Sequence, residues 1–358
     1  MKTVYPVLMV GGTGSRLWPL STKDTPKQFQ RITSSYSLFQ ETILRLRGAE
    51  KHINFADPII VGAEMYHDQI IEHLNEINVQ PTAIFLEPCP RSTTPVAALV
   101  ARYLENNDPD AIIALLPSDH HIGKVDIFRQ AVSVAAQTAQ GGWIMTLGIS
   151  PTSPETGFGY IQSGEKIGPN ANAVAKFTEK PDAATALAYI KDPAYAWNSG
   201  IFIFTPDVML RELETHAPKT LEAVTHALAH ANQHETALLL HEEDFAKCDS
   251  ISIDFAIMEK TDRAAVFSPL GCAWSDVGTW RSVAELQATS SNHDNVISID
   301  NDNCFIKTDS TMFIAALGLT DLIIVGHEGN LLVLPKERSQ NVSEIIAALK
   351  ASNRLDKL

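Results

Sequence analysis

The chain has 358 residues, of which 45% are hydrophobic and 20% are charged. This length and balance predict a globular protein with a large core and suggest two domains. A formal net charge of −14 argues against nonspecific binding to nucleic acid or to an acidic membrane surface. An anionic substrate would therefore need a local cluster of cations, and Arg16, Lys27 and Lys180 are the candidates.

The cysteines and the N-terminus indicate the compartment. The four cysteines are widely spaced and form no C-x-x-C pair, which favours reduced thiols over disulfides or a zinc site. The first apolar run is short and ends in Gly-Gly, unlike a signal peptide, and no apolar run approaches the length of a membrane span. We expect a cytoplasmic protein with neither a membrane nor a nucleic acid as partner.

The first predicted element is a buried strand at residues 7–10 that runs into a glycine-rich loop. Glycines let backbone N–H groups approach an anion, and Arg16 adds a planar charge suited to phosphate oxygens. The loop is neither a dinucleotide fingerprint, because Leu17 replaces the required glycine, nor a P-loop, because Val125 follows the only Gly-Lys pair. With Lys27 downstream, the pattern predicts a triphosphate site. The glycines are Gly11, Gly12 and Gly14.

Strands and helices then alternate. Buried strands are predicted at residues 58–61, 83–86 and 111–116, and amphipathic helices at 38–46, 70–77 and 94–103. This order predicts an open, mainly parallel sheet with the ligand at the carboxyl ends of its strands. The loop from Gly11 to Arg16 and the pair Ser118 and Asp119 lie at such ends.

The second half is predicted less regularly. Residues 220–243 suggest one long helix, on which His226, His230 and His234 form a solvated face rather than a metal site, because no carboxylate pattern joins them. Past the Asp- and Asn-rich residues 292–303 come short strands and a closing helix. We therefore predict two domains, residues 1–288 and 289–358.

Ordered motifs carry a family resemblance. Gly-Gly-x-Gly-Ser-Arg-Leu-x-Pro-Leu, followed by Pro-Lys-Gln-Phe, resembles the signature of sugar-nucleotide pyrophosphorylases, and Trp18 and Gln28 are most similar to bacterial mannose-1-phosphate guanylyltransferases. The resemblance runs to about Trp280 and more loosely beyond. It implies an α/β fold, with a Rossmann-like nucleotidyltransferase domain on an open, mainly parallel sheet. It also implies a small β-rich, left-handed β-helix-like C-terminal domain used in dimerisation, and hence a homodimer.

The implied activity is the formation of GDP-mannose and pyrophosphate from GTP and α-D-mannose 1-phosphate, for polysaccharide biosynthesis. The sugar phosphate would attack the α-phosphorus in line, and because it is already anionic, cations and Mg²⁺ rather than a general base would supply catalysis. The resemblance assigns Arg16 and Lys27 as catalytic cations, and Asp119 and Asp276 as Mg²⁺ ligands, with Asp119 also counted as catalytic.

Further roles follow from matching motifs. The expected nucleotide-binding residues are Gly11, Gly12, Gly14, Ser15, Glu87, Arg91 and Ser118. The expected sugar-phosphate residues are Gly159, Glu179, Lys180 and Asn198. Residues 87–95 resemble the family segment that lines the nucleotide-base pocket, but Ser92 and Thr94 stand where Asn and Ala are common. Asp254 either touches the site or merely starts a helix, and we favour the helix start.

Two alternatives to this function stay open. One is the same chemistry on another sugar 1-phosphate, such as heptose 1-phosphate, or on another nucleotide such as UTP. The other is a nucleotide-sugar sensor that has lost catalysis, against which the retained Arg16, Lys27, Asp119 and Asp276 argue.

Overall fold

The computed structural model describes residues 1–12, 14–287, 295–309 and 311–357. Within it the chain divides into two compact units. Unit 1 comprises Met1–Gly11, Thr42–Ser118 and Ile122–Trp274, and unit 2 comprises Gly12–Glu41, Asp119–His121 and Ser275–Leu358. The domain boundary predicted at residues 288 and 289 lies outside the described residues and stays a prediction.

The elements are as follows. The strands up to residue 275 are β1 (Lys2–Val10), β2 (Gly48–Glu50), β3 (Ile53–Phe55), β4 (Ile59–Ala63), β5 (Ala83–Glu87), β6 (Ile112–Pro117), β7 (His121–Ile122), β8 (Ile144–Ile149), β9 (Tyr160–Gly168), β10 (Ala171–Thr178), β11 (Tyr195–Phe204), β12 (Asn232–His234), β13 (Ala237–Leu239), β14 (Ala264–Phe267) and β15 (Trp274–Ser275). The C-terminal strands are β16 (Val296–Ile299), β17 (Phe305–Thr308), β18 (Ile314–Leu317), β19 (Leu322–His327) and β20 (Asn330–Pro335). The helices are α1 (Leu38–Leu44), α2 (His67–Glu76), α3 (Thr94–Asn107), α4 (Val125–Ala139), α5 (Ala183–Tyr189), α6 (Pro206–His216), α7 (Pro218–Ala229), α8 (Glu242–Phe245), α9 (Trp280–Leu286) and α10 (Val342–Ala351).

Unit 1 is built on one sheet with the strand order β12-β13-β5-β4-β1-β6-β11-β8-β14-β10-β9. Neighbours from β13 to β6 run parallel, and Val7 of β1 lies beside Ile59 of β4 and Leu115 of β6. β11 then enters antiparallel between β6 and β8. The predicted α/β fold with a mainly parallel sheet is confirmed, whereas the antiparallel strands around β11 were not foreseen.

Both faces of the central strands are covered. Leu115 lies in the core that includes α3, and Leu116 in the core that includes α4, because neighbouring residues of a strand point to opposite faces. A strand buried on both faces must be apolar along its whole length. The ends of such strands are where candidate ligand-binding residues are expected, and Gly11, Glu87 and Ser118 stand at the carboxyl ends of β1, β5 and β6.

The single helix predicted at residues 220–243 is wrong. α7 ends at Ala229, and the chain then forms the hairpin β12–β13, whose turn places Glu235 at φ +53°. The edge of β5 accounts for the break, because β13 pairs with it in parallel and so gains backbone hydrogen bonds that outweigh helix propensity. The expectation that no carboxylate joins the histidines is also wrong, since Asp244 accepts hydrogen bonds from His230 and from His241.

Unit 2 contains the short C-terminal strands. β16 pairs in parallel with β18, and β17 with β19, while β19 and β20 form an antiparallel pair. In both parallel pairs, the paired residues are 18 positions apart in the chain, as Val296 and Ile314 are. Leu319 N donates a hydrogen bond to Asn301 Oδ1 over the same separation of 18 residues. Inward-facing residues of these strands form a core with Leu17, Trp18 and Trp280. Among the helices of the described ranges, none combines the length and apolarity that a membrane crossing requires.

Candidate functional site

The glycine-rich loop of unit 2 is shaped by close packing against Lys27. Gly14 has a φ of +60°, in the left-handed region that favours glycine, and a Cβ there would lie 2.3 Å from Lys27 Cβ. The following 3-10 turn, Ser15–Leu17, is anchored by the buried side chain of Leu17. Among the described residues other than its chain neighbours, a Cβ on Gly12 would meet nothing within 4 Å, which leaves the space an anion cradle needs. Thr13 lies outside the described residues.

Lys27 is buried and connects two of the predicted carboxylate residues. Its Nζ lies 2.7 Å from Asp119 Oδ2 and donates to the Asp276 carbonyl oxygen at 2.5 Å. Burial alone would raise the pKa of Asp119, but the charges of Lys27 and His120 outweigh it and hold that pKa below its ordinary value. Asp119 is therefore an anion at neutral pH. The Lys27 ammonium has three N–H donors, and these two contacts leave one of them for another acceptor.

The side chains of Asp276 and Arg16 both lie close to Gly278. Asp276 Oδ1 accepts from Gly278 N at 3.1 Å, and a Cβ on Gly278 would lie 2.3 Å from Asp276 Oδ2 and 3.3 Å from Arg16 Nη2. A larger residue at this position would have to displace the Asp276 carboxylate. Arg16 Nη1 donates to Gln340 Oε1 at 2.7 Å. The sequence analysis did not identify Gln340 or Gly278, although Gly278 lies only two residues after the predicted ligand Asp276.

The carboxylates of this cluster suit a hard divalent cation. Mg²⁺ prefers oxygen ligands and binds through one or two carboxylates plus substrate phosphates. Asp119 supplies a carboxylate that stays ionised, and Asp276 supplies a second one beside the carbonyl that receives Lys27. Unit 2 thus brings together Gly14, Arg16, Lys27, Asp119 and Asp276, and its donor chemistry fits the implied metal.

Glu87, in unit 1, carries a carboxylate with one buried oxygen. Its Oε1 has no hydrogen-bond partner among the described residues, and burial raises its pKa to about 7. A buried acceptor left unpaired is costly, so such a group is expected where a ligand supplies the donor. Ser118 shows the opposite arrangement, because its hydroxyl already donates to the Met9 carbonyl at 2.7 Å and ties β6 to β1.

The segment after Glu87 is held by main-chain contacts. Arg91 donates from Nε and Nη2 to the Ala246 carbonyl at 3.2 and 2.8 Å, and Thr94 Oγ1 donates to the Ile251 carbonyl at 2.8 Å. Ser92 has a φ of +64°. Asn adopts this left-handed conformation more readily than Ser, which is a physical reason for the Asn that is common at this position in the resembling family.

The predicted sugar-phosphate residues meet in a second cluster of unit 1. A Cβ on Gly159 would lie 2.4 Å from Glu179 Oε2 and 3.2 Å from Asn198 Cβ. Glu179 Oε1 lies 3.0 Å from Lys180 Nζ, while Glu179 Oε2 is buried with no partner in the described part of the chain. All four residues named for this role, Gly159, Glu179, Lys180 and Asn198, are therefore neighbours.

Asp254 belongs to this second cluster, although the sequence interpretation favoured only a helix start. It does begin the π-helical turn Asp254–Met258, and its Oδ1 also accepts from Asn198 Nδ2 at 2.8 Å. Thr146 donates to Asn198 Oδ1 at 2.9 Å, so both ends of the amide are held by protein. Burial, followed by the charge of Asp254, raises the pKa of Glu179. The cluster is rich in acceptors and suits a ligand rich in hydroxyl donors.

Comparison with protein families decides the class of the chain. Residues 5–293 match the Nucleotidyl transferase family. The chain belongs to this family. Residues 294–349 match the MannoseP isomerase/GMP-like beta-helix domain, which confirms the predicted small β-rich C-terminal domain.

Individual relatives agree with this membership. The chain is 38% identical over 361 residues to the mannose-1-phosphate guanylyltransferase of Escherichia coli, covering 99% of this chain and 75% of that protein. It is 38% identical over 358 residues to the xanthan biosynthesis protein XanB of Xanthomonas campestris pv. campestris, with the same coverage of 99% and 75%.

A solved structure from Thermus thermophilus, named a mannose-1-phosphate geranyltransferase, superposes with a TM-score of 0.79. It is 30% identical, and the match covers 98% of this chain and 100% of that one. The predicted resemblance to bacterial mannose-1-phosphate guanylyltransferases is confirmed, and the chain is an enzyme of the nucleotidyltransferase kind.

Proposed function

We propose that this enzyme transfers a guanylyl group from GTP to α-D-mannose 1-phosphate, forming GDP-mannose and releasing pyrophosphate. The names of the relatives favour these substrates. The observation that carries the chemistry is the buried Lys27, whose ammonium contacts Asp119 and Asp276, while the Arg16 guanidinium lies close to Gly278. These groups have the charges that the transfer of an anionic phosphoryl centre requires.

In the proposed reaction an oxygen of the sugar phosphate attacks the α-phosphorus. A new P–O bond forms, the bond from the α-phosphorus to its bridging oxygen breaks, and pyrophosphate leaves with the electron pair. No proton has to be removed, because the nucleophile is already an anion. Lys27 and Arg16 hold phosphate oxygens and lower the repulsion between the two anionic substrates, and the N–H groups of Gly11, Gly12, Gly14 and Ser15 cradle the triphosphate.

Asp119 and Asp276 are the residues that would hold Mg²⁺. When bound, this ion neutralises phosphate charge and helps to align the attacking and leaving oxygens. Lys27 positions both residues, because its ammonium contacts the carboxylate of Asp119 and the main-chain carbonyl of Asp276. The contact with Lys27 also keeps Asp119 ionised, which ligation requires.

Glu87 supports the choice of guanine. The Watson–Crick edge of guanine presents an N–H and an amino group, and a carboxylate can accept from both. The unpartnered Oε1 of Glu87 stands at the carboxyl end of β5, where ligands of parallel sheets bind. We assign Arg91 to the same base-binding segment, and Ser118 to its support through β1 and β6 rather than to direct contact by its hydroxyl.

Glu179 and Lys180 support a sugar phosphate as the second substrate. Glu179 Oε2 is a buried acceptor without a partner among the described residues, so a sugar hydroxyl would satisfy it. Lys180, more than half exposed, supplies a charge for the phosphate. Asn198 fixes Asp254, and Gly159 leaves the space beside Glu179 open. A homodimer, a cytoplasmic location and a role in polysaccharide precursor synthesis complete the proposal.

A substrate panel tests this function. Pyrophosphate release would be measured with Mg²⁺ for GTP, ATP, UTP and dTTP, each combined with mannose, glucose and heptose 1-phosphates. We expect the highest kcat/KM for GTP with mannose 1-phosphate. Much faster turnover of UTP or dTTP, or of another sugar, would overturn the assigned specificity. Absence of pyrophosphate with every pair, from folded protein, would favour the sensor.

A further inference from the structure

Two histidines and one aspartate, none of them assigned to nucleotidyl transfer, converge within unit 1. His230 Nδ1 and His241 Nδ1 each lie 2.9 Å from the same atom, Asp244 Oδ2. All three ligand atoms lie within 4.8 Å of one another. A carboxylate can only accept, so in this arrangement both imidazoles donate an Nδ1 proton to it. Three atoms that can ligate a metal thus lie close together, and the protons of the two hydrogen bonds lie between them.

The local fold brings these residues together without requiring a metal. His230 follows α7 and its N–H bonds to the His226 carbonyl at 3.0 Å. His241 lies just before α8, and its N–H donates to the Ala227 carbonyl at 3.2 Å. The backbone of both histidines is therefore tied to α7, and Asp244 lies within α8. A preformed ligand set lowers the entropic cost of binding an ion.

The donor set selects the kind of ion. Imidazole nitrogen suits zinc and the neighbouring transition metals, whereas Mg²⁺ prefers an environment of oxygen ligands alone. Two histidines and one carboxylate form a three-ligand set that leaves further positions to water. The side chains of His230 and His241 are 60% and 38% exposed, so an ion has access, whereas that of Asp244 is only 10% exposed and is held in place.

Lys247 completes the arrangement. Its Nζ lies 2.7 Å from Asp244 Oδ1, the oxygen that the histidines do not use. This contact orients the carboxylate so that Oδ2 stays directed at the imidazoles. An ion bound through Oδ2 would not have to displace Lys247.

We propose that His230, His241 and Asp244 form a binding site for a transition-metal dication of the Zn²⁺ class. On binding, the ion takes the place of the two shared protons: each proton moves through solvent from Nδ1 to Nε2 of its own ring, so that the Nδ1 lone pairs face the ion. The bound ion joins the end of α7 to α8 across the hairpin β12–β13. None of these three residues is among those proposed to bind the substrates or Mg²⁺.

Calorimetric titration of Zn²⁺ into the chelator-treated full chain tests the site. We expect His230→Ala, His241→Ala and Asp244→Asn each to weaken Zn²⁺ binding by at least about 10–100-fold. This is the loss that typically follows removal of a residue that only hydrogen-bonds a metal ligand. His216→Ala is the matched control, because His216 Nε2 lies 3.5 Å from a single carboxylate, that of Glu212, and should leave binding unchanged.

A second measurement separates metal binding from damage to the fold. Zn²⁺ should raise the Tm of the wild type and of His216→Ala but not that of His230→Ala, the exposed position least able to disturb packing. Millimolar Mg²⁺ should not displace the Zn²⁺. Equal Zn²⁺ affinity in the wild type and all three ligand variants, or no binding by the wild type, would overturn the proposal.

Discussion

Gly14→Ala should damage both stability and activity, and the structure allows the two effects to be separated. The new methyl group would force a left-handed φ of +60° on a residue with a Cβ, at a cost of about 1–2 kcal/mol. It would also lie 2.3 Å from Lys27 Cβ, and relieving an overlap of this kind costs about 1–3 kcal/mol more. We expect the free energy of unfolding to fall by about 2–5 kcal/mol in total.

Gly48→Ala is the matched control. Gly48 has a φ of +72°, yet a Cβ there would meet nothing within 4 Å. This variant should lose only the backbone term of about 1–2 kcal/mol and keep its activity. In Gly14→Ala, the displaced Lys27 should lose its contacts with Asp119 and Asp276, so kcat should fall about 10²–10³-fold, as on loss of one preorganised electrostatic contact.

Urea unfolding and pyrophosphate release would be measured on the wild type and both variants. Equal destabilisation of Gly14→Ala and Gly48→Ala would show that the loop yields without strain against Lys27. Normal kcat in a destabilised Gly14→Ala would remove Lys27 from the transfer step. Either result would refute the reasoning from this contact.

Three further predictions concern single side chains. Asp119→Asn and Asp276→Asn should each lower kcat about 10²–10³-fold, with partial recovery at higher Mg²⁺; near-normal activity of Asp119→Asn at low Mg²⁺ would exclude it as a ligand. Lys180→Ala should weaken productive use of the sugar phosphate by about 1.5–3 kcal/mol, measured as kcat/KM, and GTP binding much less; equal losses would deny it a sugar-phosphate role. Because burial raises the pKa of Glu87 to about 7, its protonated form stabilises the fold at low pH, and this contribution is lost as pH rises through about 7. In urea unfolding, Glu87→Gln should therefore reduce the fall in stability between pH 5 and pH 8, and an unchanged slope would contradict that origin.

The sequence could predict the site where chemistry and local structure coincide. Gly14, Arg16 and Lys27 lie within a single short stretch, and short apolar runs identified β1, β5 and β6. The buried environment of Glu179 followed less directly, because Gly159 and Asp254 approach it only through the fold. Such neighbours are set by tertiary packing, which no spacing in the chain encodes.

Two failures have clear physical causes. Residues 220–243 have a helical composition, but the open edge of β5 offered backbone partners to β13 that local propensity does not anticipate. Gln340 was missed because a hydrogen bond across 324 residues leaves no local pattern. Both errors arise where long-range contacts decide what a segment does.

The contacts of the glycine-rich loop have a consequence for the timing of synthesis. Arg16 bonds to Gln340, 324 residues later, and Trp18 Nε1 bonds to the Lys357 carbonyl at 2.6 Å, 339 residues later. At about 5–20 residues per second, a ribosome needs roughly 15–70 s to add the residues that complete these contacts. During that interval the strands of unit 1 can begin to fold, while the glycine-rich loop still lacks the residues that bond to Arg16 and Trp18. The nascent chain should therefore begin to form its sheet before it completes the contacts of the glycine-rich loop.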